Sequence, residues 1–353
     1  DQNLPEGDLF MRLRALFPKQ PLTPMHLLAL IGNNGIGRLG YALPNTQSTQ
    51  APAPVSRSSL LKTAYSPQVF DELVRAYLST GAGIAGMQPK IMVPTVETDR
   101  AAIPIPSLIV KAASAAYPGL AANEYLCLSA AKRAGIVTPT FELSDDGQML
   151  VLDRFDLARH PDGTPERLGF EDIAALAGLR VRDVLSDRKY QGSYQRVAEL
   201  LNLLQLPHEN LHRFFEQVAF SVMVRNGDAH LKNFGVLYRS PADAWLAPMF
   251  DVVTTAIYRY ARYDGGPELE DRTLALKLFA GRHGSKAYPT TEELMRFGSK
   301  VCRVNRPQEV LRRIASAMQA TMDEARQDVR IPARLRTQMA EVWAQGQLHG
   351  GRP

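Results

Sequence analysis

Two side chains five positions apart, Asp228 and Asn233, have the types and spacing needed to act on a phosphate group. A carboxylate can orient an attacking hydroxyl and accept its proton. A neutral amide oxygen on the same loop can bind a magnesium ion without adding a full charge. The pair follows an apolar stripe that starts at Leu211 and repeats at helical spacing. We therefore expect a helix that is stopped by Asn226–Gly227 and leads directly into this polar loop.

A second carboxylate, Asp251, follows the loop after one predicted hairpin. The strand-like Phe234–Tyr238 leads to a turn, and a return segment from Leu246 ends at Asp251. A hairpin would bring Asp251 close to Asn233, and the two oxygen ligands would hold magnesium against the β- and γ-phosphates of a nucleotide. The D-x-x-x-x-N spacing is typical of a kinase catalytic loop, although an isolated Asp is also a common turn or cap residue.

A glycine-rich loop precedes a strand-like run in the first half of the chain. Gly81, Gly83 and Gly86 would let the backbone approach phosphate groups closely. The loop matches neither the Rossmann nor the Walker pattern, so an ordinary turn is an equally good interpretation.

Lys111 ends the apolar run Ser107–Lys111, where a kinase lysine would contact the α- and β-phosphates. Glu124, on the next helix-like stretch, could pair with this lysine. The alternatives stay open: a lysine at a strand end commonly faces solvent, and Asn123–Glu124 could be an exposed helix start.

The elements that must position these residues fall into three parts. Residues 1–59 form an N-terminal remnant and a Pro/Ser-rich linker from Leu43 to Ser59. Residues 60–156 alternate helices and strands and carry the glycine-rich loop. Residues 157–353 are mainly helical and carry the polar loop and basic C-terminal helices. This order predicts an α+β fold with two lobes, a small mixed α/β N-lobe and a larger mainly helical C-lobe.

Local patterns predict individual elements of the small lobe. Apolar periodicity indicates helices near Pro67–Leu78 and over Ala121–Ala134. Short apolar runs indicate buried strands at Ile91–Val93 and Met149–Leu152.

The composition is that of a globular protein with a buried core. Of the 353 residues, 45% are hydrophobic and 22% charged, and no apolar run reaches the roughly 20 residues of a membrane-spanning helix. Two distant cysteines, Cys127 and Cys302, make a disulfide framework unexpected and favour a cytoplasmic location. Residues 301–353 hold nine arginines and five acidic residues, which is +4 of the net +5. This region could contact nucleic acid or an acidic partner, or be a solvated surface.

Five sequence blocks, in order over residues 80–255, resemble the HipA-like serine/threonine kinases, the toxin components of bacterial toxin–antitoxin systems. The block around Asp228 is highly specific, and the others are moderately so. The blocks are Gly86–Lys90, Asn123–Leu126, Asp153–Asp156, Asn226–Phe234 and Leu246–Asp251.

The resemblance implies a protein-kinase-like fold, ATP and Mg2+ as cofactors, and a role for each matching residue. Asp228 would be the catalytic carboxylate, Asn233 and Asp251 the magnesium ligands, and Lys111 a phosphate contact. The other nucleotide-binding residues would be Ala85, Gly86, Met87, Gln88, Pro89 and Lys90 over the phosphates, Asp153, Arg154 and Phe155 in the adenine pocket, and His230, Leu231 and Lys232 around the phosphates, together with Phe250.

The resemblance also implies partners. Family members transfer the ATP γ-phosphate to a serine or threonine of a cellular protein, translation-related in known cases, and growth stops. Many are held by an antitoxin that binds operator DNA. DNA would thus be reached through the antitoxin, an upstream domain or the basic C-terminal region, and no membrane is involved.

Two features depart from the family pattern. Gly83 stands where members often carry a serine whose autophosphorylation switches the enzyme off. Only Met25–Ala42 resembles the end of the β-rich subdomain that usually precedes the kinase core. The chain is therefore expected to be a short form, a truncation, or a protein with a different upstream domain.

Two other functions compete with a kinase. A magnesium-dependent nuclease would use Asp228, His230 and Asp251 to activate water, but it would leave Asn233 and the glycine-rich loop without a role. A non-enzymatic DNA-binding or scaffold protein would use the C-terminal arginines, and its binding would weaken steeply with salt.

Overall fold

A computed structural model gives the fold of the chain, which divides into two compact units. The first comprises Asp1–Ala122 and Pro139–Phe170, and the second comprises Asn123–Thr138 and Glu171–Pro353. The domain boundaries expected at residues 59 and 156 stay predictions. The structure describes residues 3–17, 19, 21–41, 54–78, 89–94, 106–113, 117–160, 162–180, 186–261, 268–282 and 284–351.

The first unit combines short helices with one antiparallel sheet. Its helices are α1 (Gly7–Leu16), α2 (Pro24–Ile31), α3 (Arg57–Lys62) and α4 (Pro67–Leu78). Next come strands β1 (Lys90–Val93) and β2 (Leu108–Ala112), helix α5 (Leu120–Arg133), which continues into the second unit, and strands β3 (Phe141–Leu143) and β4 (Met149–Asp153). The sheet order is β1-β2-β4-β3. A hairpin of β5 (Leu157–Arg159) and β6 (Pro165–Arg167) follows.

Continuous apolar runs make the central strands of this sheet. Every residue of β1 and β2 is buried, as are the first four of β4, and α4 and α3 pack against β1 and β4. Burial on both faces explains why these strands lack polar alternation. The strands predicted at Ile91–Val93 and Met149–Leu152 and the helix predicted at Pro67–Leu78 are confirmed.

The prediction of a linker up to Ser59 is wrong at its end, because α3 begins at Arg57. The Ser56 hydroxyl accepts the Ser59 N–H at 3.1 Å, and Leu60 of the helix is buried. Ser56, a residue type that is common in linkers, thus acts as a helix cap. Residues 42–53 of the same stretch lie outside the described residues.

A buried ion pair organises the turn at residues 33–37 of the first unit. The side chains of Arg154 and Asp156 are fully buried, and their charged atoms are 2.6 Å apart. Arg154 also donates to three backbone carbonyl oxygens, among them that of Gly35, and Asp156 accepts the Gly37 N–H at 2.7 Å. Buried charges are tolerated because each finds several partners.

The second unit is mainly helical. Strand β7 (Gly169–Asp172), which begins in the first unit, leads to α6 (Ile173–Leu176), α7 (Tyr194–Leu203) and α8 (Glu209–Met223). Strands β8 (Gly235–Ser240) and β9 (Asp243–Leu246) follow, and the sheet order is β7-β8-β9. The remaining elements are β10 (Arg259–Ala261), β11 (Glu268–Glu270), α9 (Thr291–Arg296), α10 (Pro307–Ala325) and α11 (Ala333–Gln347). No helix in the described ranges has both the length and the apolar character of a bilayer-spanning segment.

Helix α8 forms the centre of the second unit. It carries the apolar stripe predicted from Leu211, its Phe214 and Phe215 are fully buried, and α7, α10 and α11 pack against it. Gly346 of α11 lies so close to the Met223 carbonyl that a Cβ there would overlap it. This close approach fixes α11 at the end of α8, where the candidate site begins.

Asp156→Ala is expected to lower the free energy of unfolding by about 3–5 kcal/mol, because Arg154 would keep a buried charge without its carboxylate. Urea denaturation followed by circular dichroism measures this loss. Glu199→Ala breaks the exposed Arg196–Glu199 pair and should change the same quantity by less than about 1 kcal/mol. Equal losses in the two variants would contradict the importance of the buried pair.

Candidate active site

The segment after α8 begins with a left-handed turn. Arg225 has a φ of +57°, and the Asn226 N–H donates to the Ser221 carbonyl at 2.8 Å, which ends the helix in a Schellman arrangement. The expectation that Asn226–Gly227 stops the helix is wrong in detail. Helix α8 ends at Met223, and the left-handed residue is an arginine rather than the glycine.

A carboxylate packed against Gly227 leaves no room for a side chain at this position. A Cβ at this position would overlap the Asp271 carboxylate. The Gly227 N–H donates to Thr255 Oγ1 at 2.7 Å, and the Thr255 hydroxyl donates to Asp271 Oδ2 at 2.7 Å. Burial raises the pKa of the Asp271 carboxyl, and the hydrogen bond from Thr255 opposes that shift. Sequence reasoning missed Thr255 and Asp271, because no local pattern links them to the loop.

The Asn233 side chain joins two residues that carry carboxylates. Its Nδ2 donates to the backbone carbonyl of Asp228 at 2.9 Å and to that of Asp251 at 3.3 Å. Carbonyl oxygens only accept hydrogen bonds, so the amide nitrogen must face them and Oδ1 points away. The structure therefore brings Asp228, Asn233 and Asp251 together and orients the amide oxygen as a potential ligand.

Asp251 is held in an unfavourable backbone conformation. Its φ of +56° costs a residue with a Cβ about 1–2 kcal/mol. Three residues on, Thr254 is clamped by Asn123, which accepts its N–H at 2.8 Å and donates to its carbonyl at 3.1 Å, and Trp343 Nε1 donates to the Thr254 hydroxyl at 2.8 Å. Asn123 and Glu124 are both fully buried, so an exposed helix start at this position is wrong.

The Asp228 carboxylate is about half exposed and has two polar neighbours. Its Oδ1 accepts the Tyr190 hydroxyl at 2.6 Å, and His230 Nε2 lies 3.9 Å from the same oxygen. Burial lowers the pKa of the His230 imidazole to about 4, so the ring is neutral at pH 7. His230 Nδ1 has no hydrogen-bond partner among the residues that the structure describes. A buried polar atom of this kind is commonly satisfied by a ligand or water.

The rest of the loop is anchored by aromatic packing. Phe234 contacts Phe214 and Tyr194 edge-on, with ring centroids 5.3 and 5.9 Å apart, which ties the loop to α8 and α7. Three further predicted nucleotide-binding residues lie on the same segments. Of these, Leu231 is buried, and Lys232 and Phe250 are partly exposed.

Two lysines of the first unit lie directly opposite each other. Lys90 of β1 pairs with Lys111 of β2, and each is only 4% exposed. Opposed residues share one face of an antiparallel sheet, where like charges disfavour each other. Pro89 is described, whereas Ala85, Gly86, Met87, Gln88 and the three earlier loop residues Gly81, Ala82 and Gly83 lie outside the described residues.

The residues predicted for the adenine pocket have side-chain partners within the first unit. Asp153 pairs with Arg57, and the Arg154 guanidinium is occupied by its ion pair and by carbonyl groups. Phe155 packs edge-to-face on Phe170, with ring centroids 5.3 Å apart. The backbone N–H groups of Asp153 and Arg154 also have partners, the carbonyl oxygens of Thr140 and Ser107.

The donor atoms of the second unit fit magnesium. A carboxylate and an amide oxygen are hard ligands, and magnesium usually takes one or two of them and completes its shell with water and substrate phosphates. No three His, Cys, Asp or Glu side chains in the described part of the chain lie together as a metal site. Cys127 and Cys302 are buried and unpaired with each other, and burial raises the pKa of the Cys127 thiol to about 12.

Comparison with known families places the chain. The model of the HipA-like C-terminal domain matches residues 82–325, well over half of the sequence. The chain belongs to the HipA-like family. The matched range contains every predicted site residue from Ala85 to Asp251, so the predicted family resemblance is confirmed.

Two curated relatives come from Sinorhizobium fredii. "Putative kinase Y4dM" is 30% identical over 167 residues, which are 43% of this chain and 38% of the relative. "Putative kinase Y4mE" is 27% identical over 255 residues, which are 67% of this chain and 59% of the relative. The chain thus spans less than two thirds of the length of these two relatives.

A solved HipA structure supports the fold. HipA of Shewanella oneidensis MR-1, in a toxin–antitoxin complex with HipB and operator DNA, superposes with a TM-score of 0.66 at 18% identity and covers 98% of this chain and 82% of its own. This likeness confirms the predicted α+β class, with a small mixed N-lobe and a larger mainly helical C-lobe of the kinase-like type.

His230 should make the stability of the chain fall as the pH drops below about 6.5. Its pKa is about 4 when folded and ordinarily 6.5, so between these values the unfolded chain gains a proton that the folded chain does not. This difference lowers the free energy of unfolding by about 2 kcal/mol between pH 7.5 and pH 5. Urea denaturation at the two pH values should show the loss in wild type and a smaller loss in His230→Gln.

The control is His208→Gln, which changes an exposed histidine of the same unit. It should keep the pH dependence of the wild type. An unchanged dependence in His230→Gln would contradict a neutral buried imidazole.

Proposed function

We propose that this chain is a protein kinase that transfers the γ-phosphate of ATP to a serine or threonine hydroxyl of a cellular protein. The observation that carries the proposal is the Asn233 amide, which donates to the backbone of both Asp228 and Asp251. This contact assembles a base, an amide oxygen and a second carboxylate, the set that phosphoryl transfer requires of a catalytic loop.

Each residue of the set has a distinct task. The half-exposed Asp228 carboxylate would orient the acceptor hydroxyl and accept its proton. The Asn233 Oδ1 and the Asp251 carboxylate would hold magnesium. When bound, magnesium neutralises the charge that develops on the phosphate oxygens. Because little covalent work falls to the protein, its contribution is to keep these groups in place.

Residues of the first unit are further candidates for ATP contacts. Lys90 and Lys111, which pair in register across β1 and β2, would contact the phosphates, together with the backbone of the glycine-rich loop from Ala85 to Pro89. Asp153–Phe155 would contact the adenine. In the second unit, Lys232 and the neutral ring of His230 would contribute near the phosphates. The predicted pairing of Lys111 with Glu124 stays a prediction.

The family gives the proposal its biological setting. The two Sinorhizobium relatives carry kinase names, and the Shewanella HipA lies in a complex with an antitoxin and operator DNA. By analogy, we propose that this chain acts as a growth-inhibiting toxin in the cytoplasm, with a translation-related protein as substrate. An antitoxin would be its partner and would provide the contact with DNA.

The competing functions receive less support. A nuclease that uses His230 as a general base needs an imidazole pKa near neutrality, whereas burial lowers it to about 4. A DNA-binding surface on the C-terminal helices is weakened by ion pairs, which four of the nine arginines in residues 301–353 form. The pairs are Arg306–Glu309, Arg313–Glu216, Arg326–Asp323 and Arg330–Asp328.

Asp228→Asn and Asp251→Asn should each reduce phosphoryl transfer by at least about 100-fold, because the first removes the base and the second a metal ligand. The assay incubates purified protein with labelled ATP, magnesium and a whole-cell lysate, and phosphoamino-acid analysis then identifies the acceptor residue. Chelation of magnesium should abolish the label.

Asp243→Asn is the matched control, because Asp243 is an exposed carboxylate of the same unit that pairs with Arg239. It should transfer phosphate at the wild-type rate. A near wild-type rate in Asp228→Asn would refute the assignment of the base, and label on tyrosine alone would refute the serine/threonine specificity.

Lys111→Met should weaken ATP binding by about 10- to 100-fold, since a charged hydrogen bond to a phosphate is worth about 1.5–3 kcal/mol. Isothermal titration calorimetry with magnesium and ATP measures the affinity directly. Lys62→Met removes an exposed lysine of the same unit, on α3, and should bind ATP as wild type does. Unchanged affinity in Lys111→Met would remove this lysine from the nucleotide site.

A further inference from the structure

Tyr190 contacts the carboxylate that is the proposed base. It ends the short helix Ser186–Tyr190, and its hydroxyl donates to Asp228 Oδ1 at 2.6 Å. A phenol hydroxyl that donates to a carboxylate at this length forms a charge-assisted hydrogen bond, about twice as strong as a neutral one. The two residues are 38 positions apart in sequence, so only the tertiary fold brings them together.

The Tyr190 ring is itself held in place. Its ring packs edge-on against His230, with centroids 5.1 Å apart, and its backbone carbonyl accepts Lys286 Nζ at 2.9 Å. The Lys189 ammonium lies 5.5 Å from the ring centroid. A ring fixed by these contacts loses little freedom when its hydroxyl binds a neighbour, so its hydrogen bond can define the orientation of Asp228.

The backbone and the side chain of Asp228 are fixed by different residues. Asn226 Oδ1 accepts the Asp228 N–H at 3.0 Å and Asn233 holds the carbonyl, but neither contact restrains rotation of the carboxylate. The carboxylate is 47% exposed, so solvent alone would not select one rotamer. The hydrogen bond from Tyr190 engages Oδ1 and leaves the other oxygen, Oδ2, for another partner.

We propose that Tyr190 is a positioning residue that holds Oδ1 of Asp228 and thereby presents Oδ2 to the acceptor hydroxyl. This inference rests on the proposed kinase activity and deepens it. A misplaced base lowers the rate of the chemical step, whereas ATP binding does not depend on it. Loss of the Tyr190 hydroxyl should therefore reduce kcat and leave the KM for ATP unchanged.

Tyr190→Phe tests the inference, because it removes the hydroxyl and keeps the ring that packs on His230. With labelled ATP, magnesium and the lysate protein that wild type labels most strongly, kcat should fall by about 10- to 100-fold, as expected for a lost hydrogen bond to a charged group. Replacement of Tyr190 by 3-fluorotyrosine retains the hydroxyl and should restore most of the rate. A merely structural role of the ring would not distinguish these two variants.

Tyr238→Phe is the matched control, since the Tyr238 hydroxyl also faces a carboxylate, Glu171, at 3.5 Å in the same unit. It should match wild type in kcat and KM. If Tyr190→Phe is as fast as wild type, the inference is wrong although the kinase activity stands. A higher kcat in Tyr190→Phe would show that Tyr190 blocks the acceptor position. Phosphate found on Tyr190 would show that it is itself an acceptor. Either result overturns the positioning role. A wild-type protein that transfers no phosphate to any acceptor would overturn both proposals.

Discussion

The geometry of the second unit depends on how one amide is used. Asn233 gives both of its N–H groups to backbone carbonyls, one belonging to Asp228 and one to Asp251. This amide cannot flip, because a flip would place its oxygen, which only accepts hydrogen bonds, against two carbonyl oxygens that also only accept them. The loop after α8 and the segment after the β8–β9 hairpin are thereby locked to each other. The amide oxygen, the only part not used internally, acquires a fixed direction.

Further buried polar contacts stabilise the two segments that Asn233 joins. Thr255 and Asp271 hold Gly227, and Asn123 and Trp343 hold Thr254, close to the left-handed Asp251. Such networks are costly when only partly satisfied, so the set forms together or not at all. This cooperativity explains how two left-handed non-glycine residues, Arg225 and Asp251, persist beside one site. Because the fold sustains this backbone strain, the loop is preorganised for a reaction that depends on positioning.

Local patterns predicted much of the fold and only part of the site. Apolar periodicity located α4 and α8, and short apolar runs located β1 and β4, because burial alone determines those choices. The polar loop was recognisable because its chemistry lies within six consecutive residues. Tyr190, Thr255 and Asp271 carry no such signal, since each reaches the loop through tertiary packing. The end of α8 was also misplaced, because Asn226–Gly227 is a commoner stop signal than a left-handed arginine.

The loop limits its own negative charge. Around Asp228 the chain places the amide of Asn233, the neutral imidazole of His230 and the phenol of Tyr190, and burial raises the pKa of the Asp271 carboxyl nearby. The proposed magnesium ligands, one carboxylate and one amide oxygen, are too few to enclose the ion, which demands six oxygen ligands. The remaining ligands must come from water and from the phosphates of the nucleotide. Metal affinity would thus be weak until the nucleotide arrives, and the site would assemble only around the complete substrate complex.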